Sequence, residues 1–275
     1  MQTFQTSHAN HVIPFTDTGS GPALIFCHGL LNDQGVWEKQ ISALASQYRC
    51  ISVDLWGHGQ NRTIPNTHTK LSHTATDILA LCDWLNLDKV NVIGLGTGAA
   101  IGVEMTLMAP KQINSLTMIN SFVGFEPQVN CAKYQQWIDS AKDTTDYQTL
   151  IAQIAPLFIS KQTQQPIDID FAIKQLSIPT DQQHAQALLE FCRQGIYQRD
   201  LLEDAELLTL PTLIMVGLEN QLRTVLESYL MHDTISASLF KHIPDAGQLA
   251  TLENDTFVNK SLSEFLYNVC PRHND

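Results

Sequence analysis

The chain has 275 residues, 44% of them hydrophobic and 16% charged, and a formal net charge of −12. That size and composition suit one large globular domain, or a domain carrying an insertion. The acidic balance argues against nucleic acid and anionic membranes as partners, because both select a basic face. Residues 1–10 are polar, and no apolar run approaches membrane-spanning length, so a cytoplasmic location is expected.

In chain order, short apolar runs at Ala23–Cys27, Cys50–Asp54, Val90–Gly94 and Ser115–Asn120 read as buried parallel strands. Between them, Trp37–Tyr48, His73–Leu85 and Ala99–Met108 carry apolar residues at helical spacing, and Ala109-Pro110 stops the last. From Gly124 to Gln198 strand runs vanish and polar residues interleave with apolar ones at helical spacing, with breaks near Pro156, Pro166 and Pro179. Strand character returns at Pro211–Gly217 and Ser238–Pro244, and an amphipathic helix closes the chain from Asp255 to Val269. The pattern predicts a doubly wound, mostly parallel α/β sheet formed by residues 1–123 and 199–275. A helical cap, 124–198, interrupts it.

Six cysteines (Cys27, Cys50, Cys82, Cys131, Cys192 and Cys270) show no Cys-x-x-Cys spacing, and several lie inside apolar strands. Reduced, packed thiols are expected. Histidine and aspartate are dispersed in sequence, so neither a metal site nor a cofactor is expected.

The segment Val92-Ile93-Gly94-Leu95-Gly96-Thr97-Gly98 reads as a strand, a sharp turn and a helix start. A Gly-x-Ser-x-Gly elbow exposes its nucleophile at such a turn, and here Gly96 stands in the middle. Four further segments agree in order: His28-Gly29 after a strand, Asp54-x-x-Gly57-His58-Gly59, Gly217-x-x-Asn220, and Pro244-Asp245-Ala246-Gly247-Gln248. Together they resemble the α/β-hydrolase superfamily over nearly the whole chain, in particular its capped esterases, lactonases and C–C hydrolases. The resemblance implies a nucleophile, an acid and a base at Gly96, Asn220 and Gln248, and none of these can play its part. Acyl transfer needs an attacking oxygen or sulfur, a base and an orienting carboxylate.

Among groups that could stand in for the missing ones, Ser121 and Glu126 after the fourth predicted strand are the best placed. Cys27, His58, His242, Glu219 and Asp245 read as packing or turn residues, and Ser121 and Glu126 lack a partner histidine. The resemblance further implies an oxyanion site from the backbone N–H groups of Leu30 and Thr97, shaped by His28. Trp56, Phe122 and Trp137 are candidate pocket-lining residues. Asn220 and Gln248 are expected to hydrogen-bond as a neutral pair. The leading reading is a hydrolase-like protein without a working triad that keeps a pocket for a small carbonyl or carboxylate ligand. The alternatives are an enzyme acting without a triad and a scaffold for protein partners. Whether the chain oligomerises is left open.

Overall fold

The computed structural model describes residues 1–8, 11–142, 146–163, 166–176, 179 and 181–270. The first half builds β1 (Gln2–Gln5), β2 (Val12–Thr18), β3 (Ala23–Cys27), α1 (Glu38–Leu44), β4 (Arg49–Val53), α2 (Leu71–Trp84), β5 (Val90–Leu95), α3 (Thr97–Met108) and β6 (Ile113–Ile119). Helices α4 (Gln128–Lys142), α5 (Tyr147–Ile154), α6 (Pro166–Lys174) and α7 (Gln182–Ile196) follow without a strand among them. The sheet resumes with α8 (Leu202–Ala205), β7 (Thr212–Gly217), α9 (Val225–Thr234) and β8 (Ser238–Ile243), and α10 (Ala250–Glu253) and α11 (Asp255–Val269) close the chain.

The eight strands form one sheet in the order β1-β2-β4-β3-β5-β6-β7-β8, parallel from β4 through β8. Strands β3, β5 and β7 are buried along their whole length, as expected where helices cover both faces of a parallel sheet. Two apolar clusters fill the two faces: one packs Ile25, Ile51, Val92 and Leu116 beneath α2 and α3, the other Leu24, Phe26, Ile93 and Leu213 against α1 and α11.

The strands expected from the apolar runs are present, with bounds moved by one or two residues. The helix expected at Trp37–Tyr48 is shorter: a 3-10 turn, Gln34–Trp37, leads into α1, which ends at Leu44. The polar N-terminus, which carries none of the apolar runs read as strands, forms the antiparallel β1–β2 hairpin at the sheet edge. Only Phe4 of β1 is buried, so the strand has little apolar signature, and Pro14 in β2 argues against a strand. Pro14 is tolerated because it faces Thr3 of β1, before β2 begins its pairing with β4 at Phe15.

All six cysteines are unpaired, five of them buried. Among the described residues no helix is long and apolar enough to cross a membrane.

Candidate functional site

Gly96 sits between the last residue of β5 and the first of α3, with φ +53° and ψ −119°. A side chain there is strained, because L-residues rarely occupy positive φ, so glycine is the relaxed choice. The turn is tight enough that a Cβ at Gly98 would lie 2.1 Å from the Cys27 carbonyl oxygen. The three glycines of the motif therefore build an elbow with an empty tip. A Cβ at Gly96 would point at the Gln248 amide nitrogen, 3.2 Å away.

Gln248 follows β8 in the loop before α10 and is 6% exposed. Its Oε1 accepts from Asn220 Nδ2 at 2.8 Å, the neutral pair expected from the sequence. Asn220, in the loop after β7, is itself anchored: its Oδ1 accepts from the backbone N–H groups of Leu222 at 2.9 Å and Arg223 at 3.2 Å. The Gln248 Nε2 donates to the Asn120 carbonyl at 3.3 Å. Gly96, Asn220 and Gln248, far apart in sequence, thus meet at the carboxyl ends of the central strands.

Asn120 is the residue that sequence reasoning passed over. It directly follows β6 at φ +49°, a conformation asparagine tolerates better than most residues. Its Oδ1 accepts from Gly217 N–H at 2.8 Å, and its Nδ2 donates to the carbonyls of Gly247 at 2.8 Å and Gln248 at 3.0 Å. One buried side chain therefore ties the end of β7 to the loop carrying Gln248. The only sequence signal was a polar residue closing an apolar strand.

Opposite the elbow, the loop after β3 is held by two buried histidines. His28 Nδ1 donates to Gly29 O at 2.8 Å while its Nε2 accepts from Leu55 N–H at 3.0 Å. His58 Nδ1 donates to Trp56 O at 2.8 Å and its Nε2 accepts from Leu31 N–H at 3.0 Å. Each ring is thereby fixed as the neutral Nδ1–H form, and burial holds both pKa values below the ordinary imidazole range. His28 and His58 cross-link the loop after β3 to the turn after β4, where Asp54 accepts from the N–H groups of Gln34 and Gln60. With Leu31 N–H taken by His58, the N–H of Leu30 has no acceptor among the described residues, nor does that of Thr97 in the first turn of α3.

These groups floor a cavity of about 140 Å³. Its lining includes Leu30, Gly96, Thr97, Phe122, Trp137 and Gln248, joined by residues that sequence reasoning did not single out, among them Tyr134, Ile138, Leu188, Cys192 and Arg223. Helix α7 lies directly on the floor: a Cβ at Gly195 would come within 3.0–3.1 Å of the Leu30 side chain and Thr97 Oγ1. Two side-chain hydrogen bonds pin this helix to the core, His184 Nε2 to Gly57 O at 3.1 Å and Gln194 Nε2 to His68 O at 2.8 Å.

Two sequence-derived candidates stand elsewhere. Neither His28 nor Trp56 lines the cavity; both are fully buried, His28 beneath the loop and Trp56 in the core. Trp56 Nε1 donates to Asp77 Oδ2 at 3.2 Å, and His68 Nε2 donates to the same oxygen at 2.6 Å. His8, His68 and Asp77 offer ligand atoms within 4.8 Å of one another, a grouping the dispersed sequence positions concealed, and it lies outside the cavity lining. Of the displaced candidates, Glu126 and Glu219 are engaged by other side chains. Glu126 pairs with Arg223 at 2.5 Å, Glu219 accepts from Gln162, and Ser121 is buried away from the cavity lining. His242 and Asp245 are exposed, and burial drives the Cys27 thiol pKa far above its usual value.

Among the described lining residues there is no histidine, serine, aspartate or glutamate. The Cys192 thiol is pushed up to about 12 by burial, and burial also raises the Tyr134 phenol. Arg223 is the cation of the lining, and Glu126 and Glu227 (3.5 Å) already flank it.

Comparison with known proteins agrees with this architecture. The chain is 28% identical over 239 residues to 3-oxoadipate enol-lactonase 1 of Acinetobacter baylyi, covering 85% of this chain and 84% of the relative. A thermophilic esterase from Thermogutta terrifontis superposes with a TM-score of 0.86 at 22% identity, covering 98% of both chains. The enol-lactonase from Burkholderia xenovorans superposes with a TM-score of 0.84 at 18% identity, covering 96% of this chain and 99% of that one. The family described as alpha/beta hydrolase fold matches residues 22–255, and the chain belongs to it.

Proposed function

We propose that this protein is a hydrolase-fold member without serine-type catalysis, which retains the family pocket to bind a small carbonyl- or carboxylate-bearing ligand. The observation carrying this reading is the composition of the cavity. The elbow tip is Gly96, its neighbour is the carboxamide of Gln248, and that amide pairs with a second carboxamide, Asn220. None of these three residues can attack a carbonyl, and none can take a proton near neutral pH. The positions that hold nucleophile, base and acid in the resemblance are those where the three residues meet, which supports their assignment as triad-equivalent positions.

The division of labour follows the chain: residues 1–123 and 199–275 form the core, and 124–198 act as a cap over the ligand. An open, largely apolar cavity favours a small-molecule role over a pure scaffold. The acidic charge disfavours nucleic acid as a partner, and six unpaired thiols suit a reducing compartment such as the cytoplasm.

A second reading has one observation in its favour. The N–H groups of Leu30 and Thr97 remain free, and such a pair can polarise a carbonyl without a triad. The lactonase activity of the Acinetobacter relative makes lactones the first substrates to try.

One experiment separates the readings. The combined variant Gly96→Ser, Asn220→Asp, Gln248→His is expected to gain labelling by a fluorophosphonate and turnover of p-nitrophenyl acetate, while the unaltered protein shows neither. Turnover of p-nitrophenyl esters or lactones by the unaltered protein sinks the non-catalytic reading.

A further inference from the structure

We infer that the pocket floor is a donor-only clamp selecting a carboxylate anion with an apolar tail, over the corresponding neutral ester; this rests on the binding reading above. The argument turns on which way two carboxamides face. Backbone N–H groups can only donate, so the bonds from Leu222 and Arg223 identify the Asn220 atom they meet as its oxygen. Asn220 must then offer its NH₂ group to Gln248, and the atom of Gln248 that receives it must be Oε1. The Gln248 NH₂ group is left facing the elbow. One of its hydrogens goes to the Asn120 carbonyl at 3.3 Å, and the other is free to meet a ligand above Gly96.

The absent side chain at Gly96 makes the donor reachable. The position a Cβ would occupy is 3.2 Å from Gln248 Nε2, so a ligand oxygen entering that space lies within hydrogen-bond distance. With the free N–H groups of Leu30 and Thr97, three donors line the floor, and the nearby Asn120 carbonyl, 3.9 Å from the Gly96 Cβ position, is already taken by Gln248.

Acceptor capacity then discriminates between ligands. A carboxylate presents about four lone-pair sites on two oxygens and can meet all three donors. An ester carbonyl oxygen has two, so one donor is left unmatched in a buried site. Charge assistance further favours the anion. Arg223 does not compete for the head group, because Glu126 and Glu227 already compensate its charge. Tyr134, Trp137, Ile138, Ile151 and Leu188 give the rest of the ligand an apolar enclosure, suiting an aliphatic or aryl tail.

The test compares hexanoate and phenylacetate with their methyl esters by isothermal titration calorimetry on the full chain. At least one acid is expected to bind about tenfold or more tightly than its ester, the difference expected of one charge-assisted hydrogen bond. Asn220→Asp supplies the decisive second arm. A carboxylate at 220 only accepts, so Gln248 must turn its NH₂ group toward it and present Oε1 to the cavity. The acid is then expected to lose about tenfold in affinity while its ester changes little. Gln248→Glu is expected to abolish acid binding altogether.

Esters binding as tightly as acids, no binding of either acid, or an unchanged acid-to-ester ratio in Asn220→Asp overturns the clamp. Equal binding of intact ester leaves the non-catalytic reading standing while the clamp fails. Ester cleavage during the titration removes that reading itself.

Discussion

The floor and the roof of the cavity are built on opposite principles. The floor comes from loops at the carboxyl ends of parallel strands. There Asn120, Asn220 and Gln248 are buried or half-buried carboxamides with named hydrogen-bond partners. The roof comes from α4, α5 and α7, whose contribution is apolar: Tyr134, Trp137, Ile138, Ile151, Ile154 and Leu188. A directional network positions single atoms, whereas apolar packing sets only size and shape. On the proposed binding reading, the floor would select the head group and the roof the size of the tail that follows it.

Breaking the floor away from the cavity should do the most damage. Asn120→Ala strands the Gly217 N–H and two carbonyls and places alanine at φ +49°. A stability loss of about 3 kcal/mol is expected in urea unfolding, with acid binding abolished. A roof change should act differently. Trp137→Ala removes a half-buried indole from the lining and should weaken hexanoate and its methyl ester alike, by about tenfold, leaving their ratio unchanged. A shifted ratio in that variant would erase the distinction between the two surfaces.

The smallest effect concerns the histidines under the floor. His28 and His58 are held neutral by burial, so the unfolded chain binds protons more readily than the folded one below about pH 6.5. Their contribution is complete above that value and is lost as pH falls from it toward the depressed folded values. Unfolding free energy should be flat from pH 7 to 8 and drop by about 1 kcal/mol per pH unit per histidine below 6.5. His58→Gln should flatten part of that slope, as measured by thermal melts across the range.

The sheet was legible because buried parallel strands are written as continuous apolar runs, and the elbow because its glycines meet backbone at close range. Asn220 and Gln248 were legible because they stand at fixed places in turns with a recognisable order. Asn120 was not: nothing local marks a strand-end asparagine as the tie between two distant loops. The roof was legible only as helices. Which face of α4 turns inward depends on docking, so Trp137 could be named from its size while Tyr134 and Ile138 could not. Trp56 shows the opposite error, an aromatic beside a functional turn whose indole N–H is directed at Asp77.

The chain of amides from Leu222 and Arg223 through Asn220 to Gln248 contains no atom that titrates between pH 5 and 9. A serine hydrolase reads acidity through its imidazole, and its output rises and falls with that proton. The amide floor has no such dial. Across neutral pH its occupancy should follow ligand concentration alone, which is the behaviour of a gauge.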